Sequence, residues 1–203
     1  MISGGGRTLM NLCERIDNGM LNAEVALVIA SRADAAGVER ARQRGLPVRI
    51  AARRDFASEP AMHDAITHWL LEAQVELACL CGYLRWMRVD PPLAGKVINI
   101  HPALLPAFGG QGMHGERVHA AVLASGDSES GCSVHFVDEQ YDHGPIILQR
   151  RCPVLPGDTV DSLAARVFEQ ECQAYPEAIA LFAEGRVKVE HGQVVRLPSA
   201  ATP

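Results

Sequence analysis

The sequence predicts an α/β fold in which a mostly parallel central sheet is flanked by helices on both faces. Apolar, β-rich segments alternate with helical segments along the chain, which is the pattern of a parallel sheet with helical crossovers. No repeat or linker divides the chain, and 203 residues suffice for one sizeable domain. We therefore expect a single domain over residues 1–203.

The first half of the chain alternates between helices and buried strands. The run AEVALVIAS at 23–31 is almost continuously apolar, as expected of a strand buried on both faces. Asp34 can cap the helix that follows, and Gly45 can end it. The predicted elements are a helix after the glycine cluster at 3–6, strand 23–31, helix 34–45, strand 47–51, helix 58–73, strand 75–83 and a strand ending near Asn99.

The second half contains the antiparallel strands. Val118, Ala121 and Val122 share one face of a helix at 115–126. Strands at 132–137 and 144–154 are separated by the turn-rich sequence DEQYDH. A helix at 159–184 and a hairpin at 187–197, turning at His191-Gly192, complete the prediction.

The start of the chain departs from this pattern. A buried strand should precede the glycine cluster, yet only Met1 and Ile2 stand before Ser3. Either the true start lies upstream or the first strand is a stub. In the second case we expect the central sheet to lack some hydrogen-bond partners.

The composition excludes several classes of protein. Apolar residues make up 48% and charged residues 21%, which is typical of a globular protein. The net charge of −5 gives no general attraction to nucleic acid or to an anionic membrane. No apolar run approaches the roughly 18–20 residues that span a bilayer, and the N-terminus lacks a signal-peptide pattern. We expect a cytoplasmic protein whose six scattered cysteines are reduced core residues.

The first candidate site is the segment SGGGRT at 3–8. Glycines permit positive φ and a close backbone approach to a ligand, and the N-terminus of the following helix offers free N–H groups. Arg7 adds a positive charge. The segment is not a Walker loop, since no Lys-Ser/Thr pair follows. It is either an anion site or a tight turn without a ligand.

The second candidate is the pair Asn99 and His101. Both follow or end a buried strand, at the edge where open α/β sheets bind ligands. They are two residues apart, so both project from the same face while the strand persists. An amide can donate to a carbonyl oxygen, and an imidazole can exchange a proton near neutral pH. The alternative is a loop histidine bonded to nearby backbone.

The third candidate is the segment at 134–145, which contains His135 and Asp142. A carboxylate in the turn between two buried strands can reach back to His101, favour the imidazolium and raise its pKa. His135 lies inside a strand, so it is either a buried structural histidine or part of the site.

Several motifs together resemble one family. SGGG, GYLR, NIHPALLPAF, GCSVHFV, DHGPIILQ, and then Arg166-Val167 and Gln170-Glu171 occur in the order found in the phosphoribosylglycinamide formyltransferases, a group of folate-dependent formyltransferases. The resemblance covers essentially the whole chain. It implies a Rossmann-like formyltransferase fold with antiparallel C-terminal strands. The N-terminal part would bind phosphate or nucleotide and the C-terminal part folate.

The resemblance also implies a reaction. The formyl group of 10-formyltetrahydrofolate, the co-substrate, would pass to the amine of glycinamide ribonucleotide in de novo purine biosynthesis. The products would be N-formylglycinamide ribonucleotide and tetrahydrofolate. No metal is implied, the partners would be small molecules rather than nucleic acid or a membrane, and the protein would be a monomer or homodimer.

The family's functional residues can be placed on this sequence. Asn99, His101 and Asp142 match its catalytic residues, with His135 in support. The positions implied for the phosphorylated substrate are Gly5, Gly6, Arg7, Thr8 and Glu171. The positions implied for folate are Leu84, Arg85, Trp86, Met87, Asp138, Glu139, Gln140 and Tyr141.

The sequence also departs from the family. Arg7 and Thr8 stand where relatives often have Asn or Ser, and Glu59 or a neighbour replaces a folate-contacting Arg. Phe168 occupies an often polar position, and the loop at 109–115 is longer than in many relatives. The acceptor could therefore be another amine, such as an amino sugar, or the chain could be a weakly active ligand-binding paralogue. A metallohydrolase using His101, His114 and His119 is a third reading, which the histidine spacing disfavours.

Overall fold

The structure is a computed structural model that describes residues 1–198. The chain divides into two compact units, Met1–Asn99 and a second unit that begins at Ile100. The division falls within one strand, β4 (Val97–His101), so the candidate residues Asn99 and His101 lie on either side of it. Helices and strands alternate as predicted, and the fold is of the mixed α/β class.

The first unit contains the parallel strands. β1 pairs with β2 in the register Val28↔Val48, and β3 pairs with β4 in the register Ala78↔Val97, both in parallel. Its elements are α1 (Arg7–Asp17), β1 (Val28–Ala30), α2 (Ala36–Gln43), β2 (Val48–Ile50), a 3-10 turn (Arg53–Asp55), α3 (Glu59–Glu72), β3 (Ala78–Leu80), a 3-10 turn (Pro91–Leu93) and β4.

The strand predicted at 23–31 is shorter than expected. Only Val28–Ala30 is regular strand, and the residues of the run before Val28 are exposed or half-buried. A strand persists only where a partner accepts its hydrogen bonds, and β2 offers three residues. The apolar run at 23–27 is therefore irregular chain.

The first two residues are bonded on both sides. The amide of Ile2 donates to the carbonyl of Ile29 at 2.9 Å, and the amide of Ser31 donates to the carbonyl of Ile2 at 3.0 Å. On the other side the amide of Cys81 donates to the carbonyl of Met1 at 2.8 Å. The expectation that the sheet lacks partners here is wrong, because a two-residue stub supplies them.

The second unit contains antiparallel pairs. β5 pairs with β6, with a register shift between Val134 and His135. β7 and β8 form the predicted hairpin, whose turn residues His191 and Gly192 have φ of 51° and 75°, the positive values that tight hairpins favour. Its elements are α4 (Glu116–Ser125), β5 (Glu129–Phe136), β6 (Ile146–Pro153), α5 (Val160–Ala183), β7 (Val187–Glu190) and β8 (Gln193–Arg196).

Asp158 organises the turn that leads into α5. Arg166 donates to both of its carboxylate oxygens, at 2.6 and 2.9 Å. The amide of Leu155 donates to the same carboxylate at 2.7 Å, and so does the hydroxyl of Ser162 at 2.8 Å. The guanidinium of Arg166, followed by these other donors, holds the pKa of Asp158 well below its ordinary value.

This network predicts a pH-dependent effect of Asp158→Asn. The wild-type carboxylate has a lowered pKa, so it contributes stability above the ordinary Asp pKa of about 4 and loses it as pH falls below that value. We expect the variant to melt several degrees lower at pH 7, with the difference shrinking at acidic pH. Thermal unfolding across pH measures this, with Asp161→Asn on the same helix as a matched control. A difference that is constant with pH would contradict the assignment.

Two further sequence expectations concern compartment and cysteines. Within residues 1–198, no helix combines the length and apolarity needed to cross a membrane. Within the same residues the six cysteines form no disulfide, and four of them are buried.

Candidate active site

His101 ends strand β4 with its side chain only 3% exposed. Its Nε2 lies 2.8 Å from the carbonyl oxygen of Phe108. A carbonyl can only accept, so Nε2 carries the proton and donates it to this bond. The other nitrogen, Nδ1, faces Oδ2 of Asp142 at 3.4 Å. Nδ1 is therefore the position at which the ring can gain or lose a proton.

Asp142 lies between two imidazoles. Its Oδ2 faces His101, and its Oδ1 lies 3.6 Å from Nε2 of His135. The amide of Gly110 donates to Oδ2 at 3.0 Å. Asp142 has a φ of 54°, which is uncommon for a residue other than glycine. The turn between β5 and β6 thus brings the carboxylate to both rings.

His135 repeats the arrangement seen at His101. It is buried on β5, and its Nδ1 lies 2.8 Å from the carbonyl oxygen of Phe136. This nitrogen therefore donates to backbone, as Nε2 does in His101. Each ring uses one nitrogen for a backbone carbonyl and turns the other toward Asp142. The structure thus brings His101, from the second candidate segment, together with His135 and Asp142 from the third.

Burial and neighbouring charges act in opposite directions on the pKa values of His101 and Asp142. Burial lowers the pKa of His101, and the opposing effects of Asp142 and the Phe108 carbonyl do not restore it. Burial also pushes the pKa of Asp142 upward, but the hydrogen bond with His135, the charge of His101 and the Gly110 amide lower it overall. Asp142 acts to raise the pKa of His101, as expected, but the burial of the ring outweighs this effect and the net shift is downward.

A side-chain network fixes the start of the loop that follows His101. The hydroxyl of Ser133 accepts from the amide of Leu105 at 2.9 Å and donates to the carbonyl of Ala103 at 2.7 Å. Gln149 donates to the Leu105 carbonyl at 2.9 Å. Neither Ser133 nor Gln149 was among the residues predicted from the sequence. Ser133 could have been identified from the sequence, because it stands two residues before His135 on a strand and therefore lies on the same face.

Asn99 is half-buried on β4, where it pairs in register with Leu80 of β3. It precedes His101 by two residues, so the two side chains leave the same face of the strand. Glu171 is half-buried on α5. Burial, followed by the negative charge of Glu171, raises the pKa of Cys132 to about 12, which places this carboxylate within electrostatic range of β5.

The glycine loop at 3–8 precedes α1. Gly6 precedes the helix with a φ of 70°, and no side chain caps the helix start. Backbone N–H groups of the first turn therefore lack a side-chain acceptor, which is the arrangement that binds anions. The amide of Gly37 donates to the carbonyl of Gly4 at 3.0 Å, and Arg40 donates to the carbonyl of Gly5 at 2.8 Å. These two α2 residues fix the loop, and neither was predicted from the sequence.

The segment 84–87 begins beside this loop. The amide of Leu84 donates to the hydroxyl of Ser3 at 2.9 Å. Trp86 packs edge-on against His63, with ring centroids 5.2 Å apart. Met87 is only 3% exposed, so a ligand would reach its backbone rather than its side chain. Leu84 and Arg85 are exposed, and they are the side chains of this segment most open to a ligand.

The segment 138–141 lies in the turn between β5 and β6. One oxygen of Asp138 accepts from the amide of Gln140 at 2.8 Å, and the other lies 2.7 Å from Nδ1 of His143. Glu139, Gln140 and Tyr141 are exposed. Of the remaining predicted positions, Arg7 is exposed and Thr8 half-buried at the start of α1.

Comparison with known proteins gives the family. Residues 1–179 match the family described as Formyl transferase. The chain belongs to this formyl transferase family.

Relatives within the formyl transferase family are similar over nearly the whole chain. A phosphoribosylglycinamide formyltransferase of Haemophilus influenzae is 38% identical over 94% of this chain and 88% of its own. A trifunctional purine biosynthetic protein adenosine-3 of Drosophila pseudoobscura pseudoobscura is 40% identical over 93% of this chain and 14% of its own. The crystal structure of glycinamide ribonucleotide transformylase 1 from Symbiobacterium toebii aligns with a TM-score of 0.88 and 42% identity, covering 97% of this chain and 92% of that one. The predicted formyltransferase fold is confirmed.

The three histidines of the metallohydrolase reading are not arranged as a metal site. Within residues 1–198, no group of three or more His, Cys, Asp or Glu side chains is placed to hold a metal ion. His114 is exposed in the loop before α4, whereas His119 is buried within that helix. In this formyl transferase, the buried side chains of His101 and His135 instead both face the carboxylate of Asp142.

Proposed function

We propose that this chain transfers the formyl group of 10-formyltetrahydrofolate to the amine of glycinamide ribonucleotide. The products are N-formylglycinamide ribonucleotide and tetrahydrofolate, in de novo purine biosynthesis. Family membership and the printed names of the relatives support the reaction class. The observation that carries the proposal is a buried imidazole whose one free nitrogen faces a carboxylate.

The proposed role of His101 is to move a proton. The attacking amine must lose a proton and N10 of the folate must gain one as the C–N bond breaks. A neutral imidazole accepts at Nδ1, since Nε2 is already bonded to Phe108. The imidazolium formed there lies beside Asp142, whose negative charge stabilises it until the proton passes to the leaving nitrogen. Because burial lowers the pKa of His101, the ring is neutral before the reaction begins and can act first as a base.

The proposed role of Asn99 is electrostatic. Attack on the formyl carbon develops negative charge on the formyl oxygen in a tetrahedral intermediate. The Asn99 amide can donate to this oxygen from the same strand face as His101. Such a donor typically contributes about 3–4 kcal/mol to transition-state stabilisation. The amine is already a nucleophile, so the proposed reaction needs no covalent enzyme intermediate and no metal.

The remaining residues are proposed to bind substrates. Gly5, Gly6, Arg7 and Thr8 would hold the substrate phosphate at the start of α1. Glu171 would bind the ribose and amine of the same substrate. The positions proposed for folate are Leu84, Arg85, Trp86, Met87, Asp138, Glu139, Gln140 and Tyr141.

We also propose a domain organisation, a compartment and an oligomeric state for the protein. Residues 1–203 would act as one domain, with phosphate bound by the N-terminal part and folate by the C-terminal part. The protein would be cytoplasmic, a monomer or homodimer, and would work without nucleic acid or membrane partners.

A spectrophotometric assay tests the reaction. Purified protein is mixed with glycinamide ribonucleotide and a 10-formyl folate analogue, and release of the deformylated folate is followed. We expect turnover that requires both substrates and is at least about 100-fold lower in Asp142→Asn. An amino-sugar nucleotide serves as the competing acceptor. Faster formylation of the amino sugar than of glycinamide ribonucleotide would overturn the proposed acceptor.

Gly37→Ala is expected to weaken substrate binding. A Cβ at this position would lie 2.8 Å from the Gly4 carbonyl oxygen and 3.1 Å from the Gly6 Cα, both backbone atoms. The glycine loop must then shift away from α2. We expect KM for glycinamide ribonucleotide to rise about tenfold or more, with a much smaller change in kcat, since the proposed role of the loop is to bind the phosphate and not to transfer a proton. Ala36→Ser, an exposed neighbour, is the control, and an unchanged KM in Gly37→Ala would contradict the role of the loop.

A further inference from the structure

The segment 84–90, which follows β3, lies against α3. Its residues belong to no helix or strand, so no regular ladder of hydrogen bonds fixes their position. Side chains of the segment instead contact positions of α3 in the same order along both, namely Trp86 with His63, Arg88 with Asp64, and Asp90 with Thr67. The helix therefore supports the segment from Trp86 onward.

The later part of the segment is held by polar contacts. Arg88 donates to Asp64 at 2.5 Å and to Asp90 at 2.9 Å. The hydroxyl of Thr67 donates to the other side of the same network, at 2.7 Å from Asp90. These side chains are half-buried or exposed, so water competes with each bond.

The earlier part of the segment is held by a buried aromatic contact. The rings of Trp86 and His63 have centroids 5.2 Å apart and planes at 88°, an arrangement that stabilises aromatic pairs. His63 is 2% exposed, and Trp86 is half-buried. Trp86 directly follows Leu84 and Arg85, the exposed side chains of the segment. The position of the indole therefore limits how these two residues can turn.

His63 is an unusual residue for a packing position. Both of its ring nitrogens are buried, and neither has a hydrogen-bond partner within residues 1–198. Its Nε2 lies 3.8 Å from an oxygen of Glu59, which is beyond hydrogen-bond distance. Leaving buried polar atoms unpaired costs free energy, so an apolar ring would pack here at lower cost. Stability alone therefore does not account for a histidine at this position.

The surroundings of His63 keep its ring neutral. Burial lowers the pKa of His63, and the charge of Arg88 lowers it further. The charges that act in the opposite direction, without restoring the pKa, are those of Glu59, Asp90 and Asp64. At neutral pH an uncharged ring packs against Trp86. As pH falls below the ordinary histidine pKa of about 6.5, charging the ring costs free energy unless it moves toward water and away from the indole.

We propose that His63 is a positioning residue for folate, whose neutral ring fixes Trp86 and thereby orients Leu84 and Arg85 toward the ligand. This inference rests on the proposed function, which assigns residues 84–87 to folate. The ring of His63 is buried, so it acts through Trp86 rather than on the ligand itself. Folate binding should weaken when the ring is removed or charged.

Folate binding is tested on the full chain by isothermal titration with a 10-formyl folate analogue and no amine. At neutral pH we expect Kd to rise about three- to tenfold in His63→Ala, and to stay within about twofold of the wild type in His63→Phe, which keeps a ring against Trp86. His68→Ala, at an exposed histidine on the same helix, is the matched control. One Kd shared by all four proteins overturns this inference alone, whereas no binding to the wild type overturns the folate assignment as well.

The pH dependence of Kd separates positioning by a neutral imidazole from general packing. The ratio of the wild-type Kd to that of His63→Phe cancels the titration of folate and of other groups. We expect this ratio to rise about threefold or more between roughly pH 7 and pH 5, because the wild-type ring becomes charged as pH falls and phenylalanine cannot. A constant ratio would show that any ring of similar size suffices, and would overturn the inference.

The fluorescence of Trp86 reports the contact without a ligand. The chain has two tryptophans, so Trp69→Phe leaves Trp86 as the single indole. In this background we expect the emission to change as pH falls below about 6.5, and to lose that transition when His63→Phe is added. Emission that is constant with pH, or that titrates equally in both proteins, would overturn the contact between a titrating His63 and Trp86. Because this readout needs neither folate nor turnover, it separates failure of this inference from failure of the proposed formyl transfer.

Discussion

His101→Ala is expected to lower kcat by about 100- to 10,000-fold, the range typical of lost general acid–base catalysis. The His101 imidazole lies at the end of β4, two residues after Asn99, and its Nδ1 faces the Asp142 carboxylate. Its removal deletes the proposed proton acceptor and donor. Steady-state kinetics with the formyl-transfer assay measures the loss.

A structural explanation must be separated from a catalytic one. The His101 ring is buried, so alanine leaves a cavity and removes the donor to the Phe108 carbonyl. His101→Gln provides a side-chain N–H for that bond but cannot shuttle a proton. We expect both variants to be impaired, and added imidazole to restore part of the activity of His101→Ala. Recovery of near-normal turnover in His101→Gln would show that the ring serves only to position the loop. His68→Ala, at an exposed histidine on α3, is the control.

Asp142→Asn is expected to lower kcat by about 100-fold or more. The substitution retains size and an oxygen that can accept from the Gly110 amide, but removes the charge between His101 and His135. The imidazolium formed during proton transfer then loses its counter-charge. The loss should appear mainly in kcat, since the proposed role of the carboxylate is exerted in the transition state.

The pH profile of Asp142→Asn gives a second, independent readout. Burial lowers the pKa of His101, and the charge of Asp142 acts against that effect. Without the charge, the pKa of His101 should fall further. The neutral ring is the proposed base, so the acid limb of kcat/KM, where this ring becomes protonated, should move to lower pH. An acid limb that stays in place or moves upward would refute the assignment, whatever the size of the rate loss.

Local features were predictable because neighbouring residues determine them. The hairpin at His191-Gly192 follows from the turn preference of that pair, and the structure confirms it. The capping of α5 is likewise local, with Thr159 and Ser162 bonding each other's backbone. The length of β1 was not predictable from its own apolar run, since the extent of a strand depends on a partner far along the chain.

The candidate site was also predictable only in part. The sequence placed Asn99 and His101 on one strand and Asp142 in the turn between β5 and β6, from residue pattern and family resemblance. It did not reveal the carbonyls of Phe108 and Phe136 that select the ring nitrogens, because both depend on backbone conformation. The catalytic roles of Asn99, His101 and Asp142 remain predictions, which the experiments above test.

By itself, the sequence determined the α/β class, the order of helices and strands, and the family to which the chain belongs, because each is encoded in residue type and spacing. Tertiary structure alone decided that His135 shares Asp142 with His101, that Gly37 and Arg40 hold the glycine loop, and that His101 favours its neutral form. These outcomes depend on how far water is excluded and on contacts between residues distant in the chain. Desolvation and packing arise only once the chain has folded.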